Sequence, residues 1–419
     1  MSLTLEGVKT SPMGLRAVQD LVSKLRIEGV VYCHWKSNEH LEEGMLGLTD
    51  LDMLFDRASA VKLARVLSDS GYKRFAATPG RSYPGVEDYL GFDTETGRLI
   101  HLHLHYELTA GEKHLKGYHL PWEDWVLSTR RFDERGQVYV ADPNVEMLLL
   151  LVRSLLKIRL RSRLIGVLGR RYFRGGELVE YRWLKERIQA DRLAGLAQTL
   201  LGEGAARRIV EIVGGEPSLR QLVGLRRAAR PILALYRTYG PVEARTRRWV
   251  RELLWLRSAL GRTLTHPAAP LSRTNPRGGL MIAFMGPDGS GKSTVVRGLV
   301  KWLSWKIDAR PVYFGSGDGP ASLLRWPLKL ALKAVQKVGL LRAGGQSAAA
   351  GREKASGGVS GSGLGRYARP IWALVLAFEK RRTLRRAWKG RNLGLVMICD
   401  RYPQYQVMGF NDGPLLGPW

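Results

Sequence analysis

The stretch Gly286-Pro287-Asp288-Gly289-Ser290-Gly291-Lys292-Ser293-Thr294 constrains this chain more than any other feature. It satisfies the spacing G-x-x-x-x-G-K-[ST], and its frame is the required one: an apolar run, Leu280 to Met285, precedes it, and a helical pattern, Val295 to Trp305, follows. A strand, a glycine loop and a helix in that order predict a parallel α/β sheet with the loop at the carboxyl end of a strand. Glycines let the backbone fold around phosphate oxygens, so that successive N–H groups and the helix N-terminus point at the anion. Lys292 is then expected on the β and γ phosphates of ATP and Ser293 on Mg²⁺, with Gly286, Gly289, Ser290, Gly291 and Thr294 completing the cradle.

A second apolar run, Leu395 to Cys399, ends in Asp400-Arg401-Tyr402. A carboxylate at the end of a buried strand beside a phosphate loop suits a Mg²⁺ ligand, and Asp400 is expected there. Arg401 adds a forked cation that matches phosphate geometry as Lys cannot.

Phe284 to Thr294 and Cys399 to Tyr402 together resemble thymidylate kinase, a nucleoside monophosphate kinase with a P-loop NTPase fold. The resemblance spans approximately residues 280–419. It implies ATP and Mg²⁺ as cofactors and dTMP as acceptor. Asp288 matches the loop acid that contacts the substrate sugar, Lys292 and Ser293 the ATP and Mg²⁺ residues, and Asp400 and Arg401 the pair near the acceptor phosphate. The helical stretch Trp372 to Arg386 stands where the family has a substrate-facing helix. Met285 stands where the family usually has Glu, and Val312 to Gly319 replaces its Phe-Pro-containing substrate loop. The family's Arg-bearing lid would follow Tyr402, but only 17 residues remain, up to Trp419. The expectation is a domain that is cut short or takes its lid from elsewhere.

The rest of the chain is long enough for more than one core. Its 419 residues, 45% hydrophobic and 25% charged, exclude a disordered basic tail and predict two or three domains. Residues 1–143 read as a small α/β or α+β domain, with helices at Leu15–Ile27 and Ala60–Ser68 and strands near Val30–Tyr32, Leu51–Phe55 and Leu99–Leu108. Residues 144–264 are Leu/Arg-periodic and predict a basic helical domain or connector; the Pro/Gly-rich 265–279 reads as a linker. The P-loop domain, 280–419, carries a Gly/Ala/Ser stretch at 343–365 that reads as a flexible insertion. Two distant cysteines, Cys33 and Cys399, exclude a disulfide framework and a Cys-based zinc site. No apolar run is long enough for a transmembrane span, so a cytoplasmic protein is expected.

Charge sharpens this division. The net formal charge is +28, composed of 17 Lys+Arg against 20 Asp+Glu in residues 1–140, 27 against 11 in 141–280 and 22 against 7 in 281–419. Polyphosphate ligands suit the basic remainder, and its helices could also lie on an anionic membrane surface. No motif for nucleic acid accompanies the charge.

The first domain holds a weaker signal. Trp35-Lys36-Ser37 precedes Asp50-Leu51-Asp52, and two aspartates at i, i+2 on a strand share a face on which Mg²⁺ could sit for nucleotidyl transfer. This resembles the nucleotidyltransferase superfamily, with Lys36 in the place of a glycine before Ser37. The resemblance implies a third carboxylate on a neighbouring strand, where His103 of His101-Leu102-His103-Leu104-His105 would stand instead. His101, His103 and His105 could also form a transition-metal face. A substrate-binding or scaffolding version of that fold is the favoured expectation for this domain. Three functions therefore stand side by side: a phosphotransferase acting on a nucleoside monophosphate, a nucleotide-gated regulator or scaffold, and a nucleotidyltransferase with an accessory P-loop module.

Overall fold

A computed structural model of the chain describes residues 13–78, 81–112, 115–158, 173, 175–264, 270–287, 289–314 and 365–403. Asp288, residues 265–269, 315–319 and 343–364, and everything past 403 lie outside the described residues. The architecture is mixed α/β, and the chain divides into two compact units, Met1–Ala259 and Leu260–Trp419.

The first unit begins α1 (Arg16–Ile27), β1 (Tyr32–His34), α2 (Leu41–Met45), β2 (Leu51–Phe55), α3 (Ala60–Asp69), β3 (Lys73–Phe75), β4 (Val86–Asp93) and β5 (Arg98–His105). It continues with β6 (Leu108–Ala110), β7 (Tyr118–Leu120), α4 (Glu123–Ser128), β8 (Arg131–Asp133) and β9 (Val138–Val140). Helices then follow: α5 (Pro143–Lys157), α6 (Gly176–Lys185), α7 (Ala190–Leu201), α8 (Glu203–Val213), α9 (Leu219–Ala228), α10 (Arg230–Leu235) and α11 (Pro241–Leu264), the last of which runs across the division between units.

Seven of the strands form one mixed sheet in the order β3-β4-β5-β2-β1-β9-β8. Period-two alternation gives it two different faces. On one, Tyr32, Leu51, Met53, Phe55, Ile100, Leu102 and Leu104 pack with Val18, Leu21, Val22 and Leu25 of α1 and Leu63, Val66 and Leu67 of α3. On the other, Cys33, Trp35 and Leu54 join a core built from α5 to α10. The helical stretch after residue 143 is therefore packed as the cover of a sheet face. Asp142 caps α5 by accepting from the Asn144 backbone N–H at 2.9 Å, and Pro143 takes the first helical turn, where its lost N–H costs nothing.

The second unit contains β10 (Met281–Phe284), α12 (Lys292–Leu303), β11 (Ala309–Tyr313), α13 (Gly365–Asn392) and β12 (Val396–Asp400). Its three strands are parallel in the order β10-β12-β11, so the last strand lies in the middle. Gly394 ends the turn after α13 at φ 85°, and a Cβ on Gly279 would fall 1.8 Å from the Leu395 carbonyl oxygen, so only glycine allows the chain to enter β10 there. No helix among the described residues is long and apolar enough to cross a membrane.

Candidate functional site

The second unit brings its two motifs together. Parallel pairing sets Phe284 of β10 beside Asp400 of β12, which places the carboxylate at the mouth of the glycine loop. Gly286, Gly289 and Gly291 have φ of 151°, 85° and 81°, conformations that L side chains rarely adopt. Gly291 then forms the N-cap of α12. Lys292 folds back over the loop, its Nζ donating to the carbonyls of Gly286 at 2.7 Å and Pro287 at 2.6 Å. Ser293 Oγ donates to Asp400 Oδ2 at 2.5 Å. The other oxygen of that carboxylate, Oδ1, is buried with no hydrogen-bond partner among the described residues.

This oxygen set fits Mg²⁺. A hydroxyl and a carboxylate at contact distance, with one lone-pair-bearing oxygen unengaged, are hard donors of the kind that ion takes. Arg401 follows directly at φ 68°, its backbone N–H donating to the Phe284 carbonyl at 3.1 Å, with its guanidinium 6.0 Å from the ring of Tyr313. Gly286, Gly289, Ser290, Gly291, Lys292, Ser293, Thr294, Asp400 and Arg401 thus occupy one end of the sheet. Asp288 lies outside the described residues.

The first unit has a second polar cluster, on the sheet face that meets α5. Asp52 pairs in register with His103, and its Oδ1 lies 2.8 Å from Lys36 Nζ, 2.9 Å from His103 Nδ1 and 3.4 Å from His105 Nε2. Burial alone would raise this carboxyl, but the Lys36 ammonium and the two imidazoles outweigh it and hold Asp52 well below the usual carboxylate range. Asp50 points elsewhere. Its Oδ1 is 2.8 Å from Nδ1 of the fully buried His101, whose Nε2 is 2.7 Å from Asp88 Oδ1. The three histidines share a face, but His101 is taken by two aspartates; among the described residues Asp52, His103 and His105 form one group close enough to share an ion, and Glu39, Glu146 and Glu180 form another. Lys36 occupies the Asp52 carboxylate. Burial lowers His105 to about 3, which keeps it neutral.

Ser37 sits beside this cluster in the left-handed region at φ 57°, its backbone N–H 3.4 Å from Glu180 Oε1. Glu180 also accepts from Arg153 at 2.7 Å, and Glu146 accepts from the backbone and side chain of Asn38 at 3.1 and 2.7 Å. Burial, with the nearby Glu180 charge, pushes Glu146 up to about 8. Asp88, Glu146 and Glu180 were invisible to sequence reasoning, because single acids in helices and in a strand carry no spacing signal.

No protein-family model matches the chain. Among curated proteins it is similar to the uncharacterised ATP-binding protein YghR of Escherichia coli (strain K12), 30% identical over 144 residues, or 33% of this chain and 50% of YghR. It is also similar to the uncharacterised ATP-binding protein YghS of the same strain, 33% identical over 140 residues, or 32% of this chain and 53% of YghS. The chain spans about half the length of the curated relatives it matches. Among solved structures, a Helicobacter pylori protein assigned to the nucleotidyltransferases aligns with 53% of this chain and 93% of its own at 12% identity and a TM-score of 0.21. JHP933 from Helicobacter pylori aligns at 11% identity, again with a TM-score of 0.21, over 53% of this chain and 90% of its own.

Proposed function

We propose that the second unit binds ATP with Mg²⁺ and transfers the γ-phosphoryl group to a phosphate-bearing acceptor, a nucleoside monophosphate, with dTMP the acceptor that the thymidylate kinase resemblance implies. The observation that carries this reading is the 2.5 Å contact between Ser293 Oγ and Asp400 Oδ2, which joins two motifs from distant parts of the chain. The ATP-binding relatives support the nucleotide. Mg²⁺, held by Ser293 and Asp400, would neutralise charge on the phosphates. Lys292 has its donors on loop carbonyls, where they can be exchanged for β and γ oxygens at little reorganisation cost. The first N–H groups of α12 face the same anion, and Arg401 offers the acceptor phosphate two parallel donors. Transfer is then a matter of position and charge, with little covalent work for side chains.

The test is coupled ADP release from the full chain with a panel of nucleoside monophosphates. Turnover should rise with an acceptor, dTMP first, and fall by about 10²-fold or more in Lys292→Ala and in Asp400→Asn. ATP binding with no acceptor-stimulated turnover would sink the reading in favour of a nucleotide-gated regulator.

A further inference from the structure

Inside the first unit, between the sheet face that carries Asp52 and helix α5, lies a cavity of about 110 Å³. Lys36, Lys116, Arg153 and Lys157 all line it. Three of these cations have a carboxylate: Lys36 pairs with Asp52 at 2.8 Å, Arg153 with Glu180 at 2.7 Å and Lys157 with Glu177 at 2.7 Å. Lys116 has none among the described residues; its ammonium is 5.7 Å from the ring centroid of Tyr83, another residue of the wall. Burial, together with Lys36, Arg153 and Lys157, lowers Lys116 to about 7.

Folding has invested in that placement. Lys116 adopts φ 47°, a conformation rare outside glycine. The segment bearing it is tied down on both sides, by Tyr239 Oη donating to the Leu115 carbonyl at 2.5 Å, by the Thr238 N–H donating to the Gly117 carbonyl at 3.2 Å and by Arg248 pairing with Glu112 at 2.5 Å. An uncompensated, half-buried cation held in a strained backbone is costly unless an anion completes it. The walls carry further unmet capacity. Among the described residues, Trp35 Nε1, Arg153 Nε and His105 Nδ1 are buried without a hydrogen-bond partner, and Trp35 and His105 are 3% and 4% exposed.

We infer that this cavity is a binding site for the phosphoryl group of a small molecule, held by Lys116, Lys36, Arg153 and Lys157 without a metal ion. Lys36 stands on the carboxylate that a nucleotidyl-transferring site would need for Mg²⁺, so the ligand is bound and not turned over. Several waters' worth of space suits one or two phosphoryl groups, and the Trp35 ring, with Lys36 5.0 Å and Arg153 5.2 Å from its centroid, helps to hold those cations at the wall. The site is separate from the ATP loop, and its test is built so that failure of one leaves the other standing.

The test is calorimetric titration of pyrophosphate, in EDTA, into the full-length Lys292→Ala chain, which weakens the phosphate loop. One binding event is expected. Adding Lys116→Ala should weaken it at least about tenfold, the loss of one charge-assisted contact, and adding Lys157→Ala, at an exposed position, should weaken it as well. Without ligand, Lys116→Ala should melt no lower than its parent, because an unpaired charge has been removed; the rise in melting temperature that pyrophosphate causes should disappear. Absence of binding in the Lys292→Ala chain, or equal affinity after both further changes, would overturn the inference. Comparing AMP with glycerol phosphate identifies the source: tighter AMP marks a nucleotide, equal affinity a bare phosphoryl group, and either upholds the site.

Discussion

The ammonium of Lys36 lies 2.8 Å from Asp52 Oδ1, where a metal-holding carboxylate would need its cation. One side chain thus neutralises the acid that could serve Mg²⁺, beside a basic cavity that the same lysine lines, while Asp50 is turned to His101. Because Asp52 titrates well below its ordinary range when folded, the folded state binds fewer protons there than the unfolded chain. Its contribution to stability is complete above the unfolded value near 3.9 and is lost as pH falls through the folded value. In Lys36→Ala the strongest of the groups holding that value down is gone. Urea unfolding between pH 3 and 7 should show a loss of about 2 kcal/mol at pH 7, less than for a fully buried pair because both side chains keep some solvent, and an acid limb that starts at higher pH. An unchanged acid limb would mean that Lys36 does not set the ionisation of Asp52.

At the level of elements, α5 shows how much of the first unit depends on one cap. Almost every residue of this helix is buried, and its start rests on Asp142, which is itself fully buried, accepts from the backbone and side chain of Asn144 at 2.9 Å each, and pairs with Arg131 at 2.5 Å. Asp142→Asn keeps the cap and Asp142→Ala removes it. Equilibrium unfolding should place the alanine variant roughly 1 to 3 kcal/mol below the parent, the cap plus a severed ion pair, with the asparagine variant between them. Equal stability of the two variants would show that the cap contributes nothing. What sequence could show follows the same physics. Long periodic segments such as α1, α5 and α12 announce themselves, and so does β2, with Leu51, Met53 and Phe55 on one face and Asp52 on the other. The three-residue strands β6 to β9 are too short for a period, and Lys116 carries no local signal for its left-handed backbone. Ser293 and Asp400 were readable as a pair from their motifs, although 107 residues separate them; the cavity was not, since its four cations come from three distant segments.

At the scale of the molecule, the charge of +28 and the two compact units belong to one question, how far each unit stands on its own interior. The first unit has two extensive apolar clusters, one on each sheet face. The second, among the described residues, has a small one around Ala387, Leu395 and Met397, with its central strand β12 wholly buried. Basic residues outnumber acidic ones 22 to 7 after residue 280, so self-repulsion weighs on the smaller core, and a polyphosphate is the natural relief. Calorimetry of the full chain should therefore resolve two transitions. Mg²⁺ and ATP at about 100 times the dissociation constant should stabilise the one belonging to residues 260–419 by about 2.7 kcal/mol, while Asp142→Ala should lower only the other. A single transition moved equally by nucleotide and by Asp142→Ala would mean that the chain melts as one body despite its two cores.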